Sequence, residues 1–463
     1  MKSIGRRAFL VGTASLSLLG LLQPEIVAGW LAGEKNVPSA GKEAEEGAAL
    51  PEPEIVPPVS CDYLLVNGTI IDGSGAPSFA GNLAIKGETI VAIGDFPAAP
   101  GAKVIDVAGL VIAPGFIDLH THTEDYILNN GAGEMILLQG VTSQIGGNCG
   151  TSVDSIGSYF AELKEPGVNF GLLVGYKVLR KKCGVDEKGL TAKTLAAMEE
   201  ELARGLQEGA FGLSVGLEYW PQSKATTDEL IALCRVVKDH GGFYAVHIRN
   251  EGDRVLPSLE EAIEIGLATG VPVEYSHVKT SGKRNWGKME KVLELLDQAR
   301  ESGLDMTGDV YGYTFSSLDL DSGRNSIGEE DLQLALKHPF LMIGSDSGLS
   351  NSGRAIHPRA YGNYPRILGR YVREQGVLSW EEAIRKMTSL PAKRLGLDER
   401  GLLAPGRKAD VVAFRPEKVR DQASREDPNI FSVGMEYVFV NGQPAVAEGE
   451  PTGIRAGQPL VRG

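Results

Sequence analysis

The residues with the most chemistry in this chain are histidines, a cysteine and an aspartate at the ends of apolar runs. One run ends in Asp118-Leu119-His120-Thr121-His122. Side chains alternate along a strand, so two histidines two apart share a face and reach the same space. A second run leads into Gly146-Gly147-Asn148-Cys149-Gly150. Glycines on both sides give the thiol room to approach an ion, and thiolate is a strong zinc ligand. Tyr244-Ala245-Val246-His247 and Glu274-Tyr275-Ser276-His277 each put one histidine at the end of an apolar strand. One such histidine would more often be structural; two on consecutive strands, after the same apolar pattern, point to a metal. Ile343-Gly344-Ser345-Asp346 supplies a carboxylate at the last such end. The remaining histidines, His240, His338 and His357, fall elsewhere and are assigned no metal.

Ligands so far apart in sequence need a scaffold that gathers strand ends at one point. Strand patterns recur at 115–118, 142–145, 170–174, 212–215, 243–246, 273–276, 306–309 and 341–344, with helical stretches such as 191–208 and 227–240 between them. This alternation predicts an α/β fold, a (β/α)8 TIM-like barrel, whose strands end at a common mouth. A doubly wound sheet would not aim so many polar strand ends at one place. Before the barrel, residues 62–66, Asn67-Gly68 and 69–71 read as strand, turn and strand, a hairpin. Short strand patterns follow near 83–85, 89–93 and 104–107, and the same texture returns at 410–414 and 437–442. Both chain ends are therefore expected to build one small β-sandwich, from 61–112 and 401–463, beside a barrel over 113–400.

The motifs Pro114-Gly115-Phe116-Ile117-Asp118-Leu119-His120-Thr121-His122, Gly147-Asn148-Cys149-Gly150, His247-Ile248-Arg249-Asn250-Glu251, Ser276-His277-Val278-Lys279, Gly344-Ser345-Asp346 and His357-Pro358-Arg359-Ala360-Tyr361-Gly362 carry a family resemblance. From about Cys61 to the C-terminus the chain resembles the amidohydrolase superfamily, and within it the D-aminoacylase (N-acyl-D-amino-acid deacylase) family. The resemblance implies a tightly held Zn2+ on Cys149, His247 and His277, with His120 and His122 contributing to a second, weaker position. Many superfamily relatives use a carboxylated lysine on the fourth strand; Ala210-Phe211-Gly212-Leu213-Ser214-Val215 has none, and Cys149 stands in its place. The implied reaction is hydrolysis of the amide of an N-acyl-D-amino acid. Asp346 would act as base and then acid, and Tyr219 would help hold oxyanion charge. The substrate's free carboxylate would fall to Lys279 and Arg359, with Tyr311 joining them. Arg249 and Glu251 are expected to pair around the metal shell. Two departures stand out. Gly312 replaces a proline that the family often shows in Asp309-Val310-Tyr311-Gly312-Tyr313, and the connection from Tyr313 to Leu341 is short where relatives carry a long insertion. A more open mouth leaves room for dipeptides or larger D-amino-acid conjugates, so a D-specific dipeptidase or a cyclic amide hydrolase is the alternative.

Composition narrows the partners. With 463 residues and 42% hydrophobic content there is ample material for a core. A net charge of −14 argues against nucleic acid or an anionic membrane as a stable partner, so the partner expected is a small molecule. The four cysteines, Cys61, Cys149, Cys183 and Cys234, are too few and scattered for a disulfide framework. The chain starts with Gly5-Arg6-Arg7-Ala8-Phe9-Leu10-Val11 and an apolar run to Leu22. An arginine pair before a short apolar stretch resembles a twin-arginine signal over 1–32. It predicts export to the periplasm or beyond by the twin-arginine machinery. Residues 33–60, rich in Glu, Pro, Ala and Gly, read as a disordered linker.

Overall fold

The computed structural model describes residues 57–185 and 189–462. The proposed signal and most of the proposed linker lie outside the described residues. Eight parallel strands make the barrel: β1 (Phe116–Asp118), β2 (Val141–Gly146), β3 (Asn169–Leu172), β4 (Gly212–Gly216), β5 (Phe243–His247), β6 (Val273–Tyr275), β7 (Met306–Val310) and β8 (Leu341–Ile343). Each coincides with a strand expected from the apolar pattern. Val174–Gly175 continues β3 and pairs with β4. The ring closes between the last and first strands. Ser347 and Gly348 pair with Thr121 and His122 in parallel, Asp346 N–H donates to His120 O at 2.9 Å, and the Ser345 amide and hydroxyl both donate to the Asp118 carboxylate.

The helices follow from sequence in the ordinary way. Ala192–Gln207 is capped by Thr191, and Thr227–Asp239 by Thr226, each hydroxyl accepting a free amide of the first turn. Their apolar stripes, Met198, Leu202 and Leu206 on one and Leu230, Leu233 and Val237 on the other, are buried against the strands. Leu460, from the C-terminal tail, packs with Phe211 and Phe243 in the barrel's own core.

Both chain ends join one β unit, where Val111–Pro114 pairs antiparallel with Val411–Phe414. Its nine strands form a single sheet. The sheet curls back on itself, so that Thr89 bridges Lys408, and residues from both ends, among them Leu65, Ile112, Val411 and Phe439, share its core. Two details differ from expectation. Asn67-Gly68 is not a hairpin turn: Tyr63–Ile70 is one strand with a bulge there. Asn67 takes φ +65, and a Cβ on Gly68 would lie 2.5 Å from Ile112 Cδ1, so the pair bends the strand where a neighbour crowds it. Val59, inside the expected linker, is already tied by hydrogen bonds to Pro97 O and Ala99 N.

Candidate metal centre

The connections leaving β1, β2, β5, β6 and β8 bring six polar side chains together at the C-terminal mouth. Cys149 Sγ lies 3.4 Å from His120 Nε2, 3.4 Å from His277 Nε2 and 4.0 Å from His247 Nδ1. His247 Nδ1 and His277 Nε2 are 2.9 Å apart. Asp346 Oδ1 is 3.3 Å from His122 Nε2 and 3.6 Å from His120 Nε2. All are buried except His122, whose side chain is 26% exposed. The backbone is bent to achieve this. Cys149, His277 and Asp346 sit at φ +52, +38 and +51, a region that non-glycine residues seldom occupy and that clusters at functional sites. Gly150, at φ +76, has no room for a side chain: a Cβ would meet Gln222 Oε1 at 1.8 Å.

The donor set fits zinc. Tetrahedral ligands at zinc bond lengths stand about 3.3–3.6 Å from one another. Cys149 meets that spacing with His277 and His120, while His247 stands just outside it, 4.0 Å from the sulfur and 2.9 Å from His277. The remaining ring nitrogens are engaged in the way metal-ligating histidines require. His120 Nδ1 is 2.9 Å from Asp309 Oδ2, His277 Nδ1 is 2.9 Å from Glu251 Oε1, and His247 Nε2 is 3.2 Å from Glu218 Oε2. The electrostatics agree. Burial alone would lower the histidines' proton affinity, but the surrounding anions prevail. Asp309 and Cys149 raise His120 well above its usual value, Asp346 and Cys149 raise His122 to about 10, and Glu251 with Cys149 raises His247 to about 9. For Cys149, burial raises the thiol while His120 and His277 lower it further, so the thiolate is the resident form. Asp346 is likewise opposed by burial and held well below the carboxylate range by Arg359 and His277. The field favours positive charge where these side chains meet.

Around the cluster is a cavity of about 340 Å³, with Tyr219, Lys279 and Arg359 in its lining and Ser316 and Ser317 at its edge. Arg359 NH2 binds Asp346 Oδ2 at 2.8 Å and Ser317 Oγ at 3.2 Å. Its Nε and NH1 are buried without a partner among the described residues, as is the Tyr311 hydroxyl. Tyr311's ring lies beneath the Arg359 guanidinium at 4.7 Å and near Lys279 Nζ at 5.5 Å. Tyr219 rests its ring 4.6 Å from that of His247 and is 41% exposed. Burial, reinforced by Cys149 and Glu251, pushes its phenol up, so it remains a donor. Lys279 lines the cavity, yet its ammonium is held by Glu251 at 2.7 Å. Of the candidate site residues, His122, Cys149, Tyr219, His247, His277, Lys279, Asp346 and Arg359 line this space, with His120 and Tyr311 buried behind them.

The expected Arg249–Glu251 pair does not form. Arg249 turns outward to Glu261 on the helix Val255–Thr269, making two bonds of 2.8 Å. That leaves Glu251 to Lys279 and the two histidines, whose charges hold it below the usual carboxylate range against its burial. Sequence reading missed this role, and those of Asp309, Glu218 and Ser317. Asp309 is the penultimate residue of β7, one place before its end, a polar residue at a strand end that the strand pattern made available. Ser317 lies in an irregular connection and carried none. His240, His338 and His357 bind elsewhere, to Val236 O, Asp297 and Phe315 O.

Comparison with known proteins agrees with this arrangement. The model of the amidohydrolase family matches residues 111–445. The chain is 36% identical to the D-aminoacylase of Alcaligenes xylosoxydans xylosoxydans, covering 87% of this chain and 98% of that protein. It is 35% identical to the N-acyl-D-glutamate deacylase of the same organism, covering 87% and 96%. The alignment with the first spans 475 residues but takes in only 87% of this chain, so that relative has internal segments this chain lacks. The fold matches a crystal structure of N-acyl-D-glutamate deacylase from Bordetella bronchiseptica, complexed with zinc and a phosphonate mimic of the tetrahedral intermediate. The TM-score is 0.80 at 32% identity, over 87% of this chain and 100% of that one.

Proposed function

Because this chain belongs to the amidohydrolase family, we propose that it is a zinc-dependent hydrolase that cleaves N-acyl-D-amino acids to a carboxylate and a free D-amino acid. The observation that carries this reading is the pairing, in one cavity, of a thiolate–imidazole cluster with buried guanidinium donors that have no partner among the described residues. An unpaired buried donor costs about 1–3 kcal/mol, and a substrate carboxylate relieves that cost. Cys149, His247 and His277 would hold the tight zinc, and His120, His122 and Asp346 frame a second, weaker position. Zinc held there supplies Lewis-acid polarisation of the scissile carbonyl and makes water more acidic.

The chain's own residues do the rest. Asp346, anchored by Arg359 and near His122, is placed to take a proton from the attacking water and return it to the leaving nitrogen. Tyr219, kept protonated, offers a hydrogen bond to oxyanion charge. Arg359, with Tyr311 and Ser317 beside it, binds the carboxylate of the amino-acid half, and Lys279 adds positive field while fixing Glu251. The near-equal identities to an aminoacylase and a glutamate-specific deacylase give no preference for a substrate side chain. The short connection after β7 supports an open acyl side. Arg6-Arg7 and the apolar run after it support export by the twin-arginine route. Arg6→Lys with Arg7→Lys should retain the protein in the cytoplasm on cell fractionation.

The test is chiral analysis of product from a racemic N-acyl amino-acid panel, with zinc measured on the same sample. Release of D-amino acids by zinc-bearing protein is expected. Zinc-bearing protein inert on the whole panel would defeat the reading.

A further inference from the structure

The opposite end of the barrel holds a second cavity, of about 420 Å³, where Ser74 of the β unit meets the starts of β7 and β8 and the last helices. Four cations line it, Arg300, Arg385, Lys393 and Arg394, against one carboxylate, Asp305. Two of the four are already balanced. Arg394 donates to Asp305 at 2.9 and 3.2 Å and to Thr307 Oγ1 at 2.9 Å. Arg385 donates to Glu382 at 2.7 and 2.8 Å and to Pro339 O at 2.8 Å. The other two are not. Arg300 is 3.9 Å from Asp305, already taken by Arg394, and lies 3.5 Å over the Phe340 ring with one amino group on Met306 O. The Lys393 ammonium has no hydrogen bond or ion pair among the described residues. Positive charge in excess of its local anions, in a chain of net charge −14, is a local feature that the overall field does not account for. Phe340, Leu390 and Leu402 add apolar wall, and clefts between domains with a few convergent polar groups are where small ligands bind.

We propose that this cleft binds a small organic anion, its carboxylate against Lys393 and Arg300 and a short apolar body against Phe340, Leu390 and Leu402. The site is separate from the metal centre and independent of the reaction proposed there. Zinc-loaded full-length protein is titrated with hexanoate by calorimetry, in an Arg359→Leu background that removes carboxylate capture at the mouth. Binding should persist in that background and weaken roughly tenfold or more when Lys393→Glu is added, the loss of one charge-assisted contact. Inorganic phosphate, charged but without an apolar body, should bind more weakly than hexanoate. Lys393 is exposed and its ammonium is bonded to nothing among the described residues, so Lys393→Glu should fold. In the otherwise unaltered protein it should leave turnover within about twofold while one hexanoate equivalent is lost. Hexanoate binding that disappears with Arg359→Leu alone, or that Lys393→Glu leaves unchanged, would overturn the proposal. Phosphate binding tighter than hexanoate would overturn the assignment of an apolar body.

Discussion

Two buried polar networks sit at opposite ends of this barrel and are satisfied in opposite ways. Under the barrel, Asp410 accepts from Asn441 N at 2.7 Å, from Asn169 Nδ2 at 3.1 Å and from Arg400. Arg400 also reaches Asn441 Oδ1, while Asn441 Nδ2 donates to Asn169 Oδ1 and to Ala456 O. Gln458 N completes Asn169, and none of these residues is among those with an unpartnered buried polar atom. At the mouth, Arg359 and Tyr311 keep buried donors without partners, and three of the chemical residues hold a left-handed backbone. A buried donor left unpaired, or a strained φ, each costs about 1–3 kcal/mol. Where a ligand is to arrive the fold leaves buried donors unpaired; where the two domains are joined it pairs them all, and the one left-handed residue there, Asn441 at φ +46, is of a type that tolerates that backbone. The lower network holds shape; the upper one is held ready.

That contrast is most sharply broken by substitutions that move activity and stability separately. Asp346→Asn should lower kcat by roughly a thousandfold, the scale of a lost general base, with the tight zinc retained because Cys149, His247 and His277 are untouched, and with a smaller loss of thermal midpoint as Arg359 loses its carboxylate partner. If zinc were lost along with activity, Asp346 would be acting mainly as a ligand. The mirror experiment is Asp410→Ala. It strands Arg400 in a buried site and should destabilise the protein by about 3–5 kcal/mol in urea, while kcat of the protein that remains folded stays within about twofold. A large kcat loss there would mean that the lower network reaches the mouth. Arg359→Leu should fall between them in effect. kcat/KM drops roughly a hundredfold, about 2–3 kcal/mol, through KM because carboxylate capture is lost and through kcat because Asp346 loses its anchor. Stability falls as well, since Asp346 is left buried without its cationic partner.

The two ends were also unequally legible in the sequence. All eight barrel strands, and the positions of Cys149, the four strand-end histidines and Asp346, were readable because each is a strand-end residue in a repeating apolar pattern. The lower network was not. Asn169, Asp410 and Asn441 are ordinary polar residues at strand and turn positions, and only the folding of both chain ends into one unit brings them together. Asn-Gly shows the same limit at small scale. At Asn441-Gly442 it turns a hairpin between Met435–Val440 and Gln443–Ala447; at Asn67-Gly68 it bulges one strand. The dipeptide permits a left-handed backbone in both places, and the neighbouring strand decides which use is made of it. Glu251 was misassigned to Arg249 for a related reason: nearness in sequence suggested a pair, while the turn after β5 sends the two side chains to different elements.

Lys386 tests how far complete satisfaction protects a buried charge. It is fully buried on the helix Trp380–Met387, donates to Leu341 O at 2.9 Å and to His338 O, and has Glu382 at 3.7 Å. Burial lowers its proton affinity; Glu382 opposes that and Arg385 adds to it, and the result is a shift from 10.5 to about 8. Below about 8 the native protein carries the charge. Between about 8 and 10.5 the unfolded chain holds a proton that the native chain has released, so stability from this group rises with pH through that window. The rise is at most about 1.4 kcal/mol for each pH unit. Lys386→Met should remove it, so urea midpoints of the two proteins, measured at several pH values across the window, should diverge as pH increases. Parallel curves would mean that the bonds to His338 O and Leu341 O hold the ammonium as firmly as water does. Satisfied hydrogen bonds would then be enough to keep a charge under the barrel at no cost.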